Sequence, residues 1–204
     1  MARFITLEGG EGAGKSTLAR GLGAALQARG LEVVVTREPG GAPGADAIRA
    51  LLVQGEPGRW SALEEALLFA AARLNHLRET IRPTLARGAW VVCDRYFDST
   101  RAYQVAAGGL GGDKLDALNA LISAERPDLT LILDLGVGEG LVRSRGAHAG
   151  EDRFEKKGAE FHARVRGEFL AIAAREPERC KILDAAAAPE IVLAQALAHA
   201  EALL

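Results

Sequence analysis

The run GGEGAGKST at residues 9–17 carries the clearest chemistry in the chain. Gly9, Gly14, Lys15 and Ser16 fit the spacing GxxxxGK(S/T). A chain of this composition produces roughly 0.004 such matches by random placement, so the run is read as a phosphate grip rather than a Gly-rich turn. Glycines let the backbone wrap with its N–H groups inward, and the amino terminus of the following helix adds positive potential for phosphate oxygens. Lys15 would reach the outer phosphates, and the Ser16 hydroxyl suits a Mg²⁺ position.

Further candidates lie at other strand ends. REPGG (37–41) follows VVVT, and DRYFDSTRAYQ (94–104) follows WVVC. In open parallel sheets ligands gather at the carboxyl ends of strands. Arg37 and Arg95 therefore share a rim with the phosphate loop, and two planar guanidinium forks there suggest a second phosphorylated ligand. Asp94 could order Mg²⁺ through water, and Asp134 in LILD has the same form; the sequence does not separate them. GLVRSRGAHAGEDRF (140–154) sets Arg143, Arg145 and Arg153 around a Gly/Ala-rich turn. Such a segment reads as a mobile lid whose arginines would neutralise a migrating phosphoryl group and exclude water.

The elements that must position these groups are short apolar runs alternating with helical patterns. Residues 4–8, 31–36, 89–94, 129–135 and 180–184 read as strands buried on both faces, which implies a parallel α/β sheet with right-handed crossovers. From Ser61 to about Leu85, Leu63, Leu67, Ala70, Leu74, Leu77 and Ile81 form a stripe expected to pack on the sheet, with Phe69, Arg73 and His76 on a neighbouring face. Pro83 is expected to bend or end this helix.

With 204 residues, 49% hydrophobic content and a formal charge of -2, the chain reads as one domain, 1–204, with a real core. Lysines are few and scattered (Lys15, Lys114, Lys156, Lys157 and Lys181), which argues against a nucleic-acid or polybasic membrane surface. Cys93 and Cys180 lack metal or disulfide spacing and read as buried thiols, and the histidines as solvated or structural. No run has the length of a signal sequence core or a membrane span, so a cytoplasmic protein is expected.

Six motifs in order, FITLEGGEGAGKST, TREPGG, LLFAAARLNH, DRYFDSTRAYQ, RPDLTLILDL and DRFE, make the chain resemble the bacterial thymidylate kinases, nucleoside monophosphate kinases of the P-loop class. The resemblance implies a P-loop NTPase fold with a five-stranded parallel sheet flanked by helices on both faces, a homodimer, and Mg²⁺-assisted transfer from ATP to dTMP for dTTP synthesis. It implies that Gly9, Gly10, Glu11, Gly12, Ala13, Gly14, Lys15, Ser16 and Thr17 form the ATP loop, and that Glu11 also sits near the acceptor's 3′-hydroxyl and the metal. By the same resemblance Arg37 and Arg95 hold the acceptor phosphate, Phe69 stacks on thymine and Arg73 bonds its edge. Ser99, Thr100 and Gln104 would complete the base pocket, and Tyr103 would crowd the 2′ position. The loop lacks an Arg, so this is similar to the type whose lid supplies the catalytic arginines, with Arg143, Arg145 and Arg153 as candidates beside Lys15 and Arg95. A kinase for another monophosphate is the nearest rival. A slow nucleotide-hydrolysing switch is a second, although neither NKxD nor LSGGQ occurs in the chain.

Overall fold

The computed structural model describes residues 1–145 and 151–204. Five strands, β1 (Phe4–Gly9), β2 (Val33–Arg37), β3 (Trp90–Asp94), β4 (Leu129–Asp134) and β5 (Cys180–Asp184), form one parallel sheet in the order β2-β3-β1-β4-β5. Each expected run became a strand, with ends shifted by one or two residues. The helices are α1 (Lys15–Gln27), α2 (Pro43–Val53), α3 (Ala62–His76), α4 (Arg82–Ala86), α5 (Phe97–Thr100), α6 (Gly112–Leu121), α7 (Val137–Ser144), α8 (Ala159–Arg175) and α9 (Pro189–Glu201).

The three central strands β1, β3 and β4 are buried on both faces, as their unbroken apolar runs imply, whereas the edge strands β2 and β5 correct that expectation, with Val35 and Ile182 exposed. Ile5, Leu7, Val92, Leu131 and Leu133 pack with Leu22 and Leu26 of α1 and Val192 and Ala196 of α9. On the other face Phe4, Val91 and Cys93 meet Leu77 and Ile81, while Ile132 meets Phe161, Val165 and Phe169 of α8. Register levels the strand ends: Leu7 and Arg37 both pair with Asp94, so the ends of β1, β2 and β3 form one rim.

The helix expected over 61–85 is divided. Ser61 starts α3 with a capping box, its hydroxyl accepting from Glu64 N–H at 3.3 Å while the Glu64 carboxylate accepts Ser61 N–H at 2.8 Å. A widened turn over Leu77–Ile81 then leads into α4, which holds Pro83 in its first turn. The apolar stripe is corrected. Ala70, Leu77 and Ile81 are buried, but Leu63, Leu67 and Leu74 are 41%, 49% and 44% exposed. The inward face of α3 instead carries Glu65, Ala66, Ala72, Arg73 and His76. These polar groups are buried because each has a charged or hydroxyl partner, so periodicity of apolar residues misjudged which side faces inward.

Candidate active site

The phosphate loop joins β1 to α1. Gly14, at φ 89°, is the residue before α1, a left-handed position that favours glycine. No described side chain caps α1 and no acidic residue lies in its first turn, so its leading N–H groups face the loop as an anion site. A Cβ on Gly12 would lie 2.0 Å from the Gly140 carbonyl oxygen, so the loop rests directly on the α7 backbone. Lys15 is buried and donates to the Gly10 carbonyl at 2.6 Å. Burial, and then Arg95, bring its pKa down to about 8.

Ser16 Oγ donates to Asp94 Oδ2 in a short contact, whereas both oxygens of Asp134 accept from Arg166, at 2.6 and 2.9 Å. The two carboxylates that the sequence left equivalent are thereby separated, and of the pair Asp94 is the one that meets the loop.

Arg95 has φ 68°, an uncommon conformation for a non-glycine residue, and its side chain turns back over the loop. Nη1 donates to the Gly9 carbonyl and to Ser99 Oγ, at 3.0 and 3.1 Å. Nη2 donates to Glu11 Oε1 and the Tyr103 hydroxyl, both at 3.1 Å, and Tyr103 in turn donates to Glu11 at 2.8 Å. Burial alone would raise the Glu11 pKa, but Arg95, Lys15 and the Tyr103 hydroxyl hold it at about 2. The Arg95 loop is braced from below by buried Glu8, which accepts Tyr96 N–H at 2.8 Å and the Ser99 hydroxyl at 2.6 Å.

A cavity of about 460 Å³ opens over this rim. Glu11, Gly12, Gly14, Lys15, Ser16, Thr17, Arg37, Asp94, Arg95 and Arg143 border it on the phosphate side. Phe69, Arg73, Ser99, Thr100, Tyr103 and Gln104 border it on the other. Arg73 Nε donates to Glu38 at 2.8 Å and Nη2 to Thr100 Oγ1 at 3.1 Å. His76 joins Glu38 to Thr36, its Nδ1 at 3.1 Å from Glu38 and Nε2 at 2.8 Å from the Thr36 hydroxyl. Gln104 donates to Glu65 at 2.7 Å.

Of the loop residues named from sequence, Gly9, Gly10 and Ala13 do not border the cavity. The lid candidates divide. Residues 140–144 complete α7, residues 146–150, including the HAG stretch, lie outside the described residues, and Arg145 is exposed without bordering the cavity. Arg153 is a correction: it is 0% exposed, paired with Glu65 and bonded to the carbonyls of Leu52, Glu56 and Pro57 at 2.9, 3.1 and 3.2 Å. Every part of its guanidinium is engaged in holding the segment after α2 against α3, a placement unlike that expected of a lid cation. Composition marks charge but not burial, which is why three arginines in one segment looked alike.

Sequence reasoning missed Glu8, Glu38 and Glu65, the carboxylates behind Arg95, Arg73 and Gln104. It also missed Arg49, which meets both Glu151 oxygens at 3.2 and 2.6 Å on the cavity wall. The only signal for Glu8 and Glu65 was an acidic residue within an otherwise apolar or small-residue stretch.

A P-loop sheet with a cation-lined phosphate side and a second, aromatic and amide-lined pocket across Arg95 defines a nucleotide kinase. The thymidylate kinase family model matches residues 7–196. The thymidylate kinase of Rhizorhabdus wittichii is 54% identical over 95% of this chain and 94% of its own length, and that of Caulobacter vibrioides 54% identical over 94% and 92%. The crystal structure of thymidylate kinase from Ehrlichia chaffeensis superposes with a TM-score of 0.78 at 32% identity, covering 97% of this chain and 98% of that one. The chain belongs to the thymidylate kinase family. It is an ATP-dependent enzyme that phosphorylates dTMP to dTDP.

Proposed function

We propose that the transfer runs in line across Arg95, from an ATP held by residues 9–17 to a dTMP held by Arg37, Phe69, Arg73, Arg95, Ser99, Thr100, Tyr103 and Gln104. The observation that carries this is the forked contact of Arg95, one guanidinium touching Gly9 and Glu11 of the donor loop and Ser99 and Tyr103 of the acceptor pocket. An acceptor phosphate is already ionised, so no strong base is required, and catalysis is alignment with charge neutralisation. Lys15 releases the Gly10 carbonyl for the outer phosphates, and Arg143, 40% exposed and bordering the cavity, adds positive charge there. Arg145 is available for the same task. Phe69 offers its ring to the base, and Tyr103 packs against Phe154 with centroids 5.7 Å apart, walling the sugar.

The converging oxygens of Ser16 and Asp94 suit a magnesium ion, which takes oxygen ligands and keeps water and phosphate in its shell. Bound there, it would supply charge neutralisation on the phosphate oxygens. Replacing Arg95 with Ala should lower dTMP-dependent ADP release at least ~100-fold while ATP affinity changes only a few-fold; unchanged turnover would contradict the assignment.

The enzyme acts as a homodimer in this proposal. Leu63, Leu67 and Leu74 recur at one face of α3 and are among the exposed large apolar residues, a stripe that a second copy would cover. Light scattering should give twice the chain mass, and Leu67→Glu should halve it. A cytoplasmic setting agrees with the unpaired, buried thiols of Cys93 and Cys180; among the described residues no helix is long and apolar enough to cross a membrane.

A further inference from the structure

Glu65 is 1% exposed and lies on the inward face of α3, behind the base pocket rather than in it. Its Oε1 takes the Arg153 guanidinium and, at 3.0 Å, the Lys157 ammonium. Its Oε2 accepts from Gln104 Nε2 at 2.7 Å. Facing two cations, this carboxylate offers only acceptors. Gln104 must therefore turn its NH₂ toward Glu65, because the opposite orientation would set two acceptors against each other.

The consequence appears on the other side of the amide. Gln104 is fully buried and borders the cavity, and its Oε1 has no hydrogen-bond partner among the described residues. A buried acceptor of fixed polarity, left unmet by the fold, calls for a donor on the occupant. Thymine and uracil carry N3–H; cytosine has a bare lone pair at N3.

We infer that Glu65 is a positioning residue for base selectivity: it locks the Gln104 amide with its oxygen toward the base, so that pyrimidines with N3–H are accepted and cytosine is refused. This rests on the reading of Gln104 as part of the dTMP pocket. It also gives the buried Arg153 and the partly buried Lys157 a role in specificity, since they fix which Glu65 oxygen faces Gln104. The lock does not separate thymine from uracil, because both present the same donor.

The test is E65Q. The carbonyl of the introduced amide is drawn to Arg153 and Lys157, which leaves its NH₂ facing Gln104 and turns the Gln104 amide over, donor toward the base. Steady-state assays should show kcat/KM for dTMP falling ~100-fold, mainly through KM, with the value for dCMP unchanged or higher. The dTMP:dCMP ratio should thus fall at least ~100-fold, and in a Q104L background E65Q should no longer move it. Equal losses for both nucleotides, leaving the ratio within about threefold of wild type, would overturn the inference. The wild-type enzyme provides a measurement independent of how E65Q folds. With dTMP bound, the Gln104 side-chain amide, assigned by its loss in Q104L, should show through-hydrogen-bond NMR coupling from its nitrogen to the Glu65 carboxylate carbon. Coupling to the nucleotide instead would also overturn it. Absence of any dTMP-dependent ADP release in the wild type would contradict the function and not the lock, which the NMR signal tests separately.

Discussion

On the base side of the cavity, Arg73 is tied to Glu38 and Thr100, His76 ties Glu38 to Thr36, and Gln104 is tied to Glu65. On the phosphate side, Lys15 rests on a backbone carbonyl and Arg143 on Glu139 and the Ala185 carbonyl, while Arg37 stands exposed at the rim. The difference follows from the ligands each side meets. A neutral base is discriminated by hydrogen-bond polarity, which works only if the protein groups cannot turn to suit the wrong partner. Phosphates bring their own negative charge, so the cations that meet them must leave temporary partners and exchange them for phosphate oxygens. The pKa of Lys15 is brought down to about 8 by burial and then by Arg95, with Glu11, Asp94 and Glu8 offsetting only part of it, and a bound phosphate would add to that offset.

The sharpest way to break this contrast is on the phosphate side. Lys15→Ala should lower kcat by about three orders of magnitude with the melting transition preserved, because the residue acts on the migrating group rather than on the core. Near-normal turnover in the folded variant would remove the phosphate side from the account. On the base side, Arg73→Ala should act through binding: KM for dTMP rises ~100-fold, selectivity among monophosphates narrows, and KM for ATP holds. A loss in kcat alone, with KM unchanged, would mean that the two sides are not divided as described.

Arg143 and Arg153 sharpen the same line within one segment. Arg143→Ala should cost about tenfold in kcat and leave stability unchanged, since its partner Glu139 is largely exposed. Arg153→Ala should instead destabilise the fold by about 3–5 kcal/mol, by leaving the Glu65 carboxylate buried without its principal cation. Thermal unfolding and initial rates on the two variants would expose any exchange of these roles.

How far the sequence reached divides along similar lines. The phosphate loop was legible because its function resides in consecutive backbone, from Gly9 to Thr17, and the central strands because burial on both faces leaves continuous apolar runs. The inward face of α3 was not legible from apolar spacing, because Glu65, Arg73 and His76 face inward while Leu63, Leu67 and Leu74 face out, and of these Arg73 was reached only through the family resemblance. Their burial depends on partners distant along the chain: Glu38 lies 35 residues from Arg73, and Glu65 lies 88 from Arg153. Arg153 looked like another lid cation for the same reason. The Arg95 backbone at φ 68°, which aims its side chain at the loop, leaves no trace in residue types.

One cavity joins an ATP grip to a pocket whose polarity selects a base bearing N3–H. ADP release with ATP and Mg²⁺ against dTMP, dUMP, dCMP, dGMP, AMP, UMP and no acceptor tests it most directly. Strong release is expected with dTMP, release with dUMP well above that with dCMP, and a baseline with purine monophosphates or no acceptor. Release that is independent of acceptor, or equal for dCMP and dTMP, would contradict it.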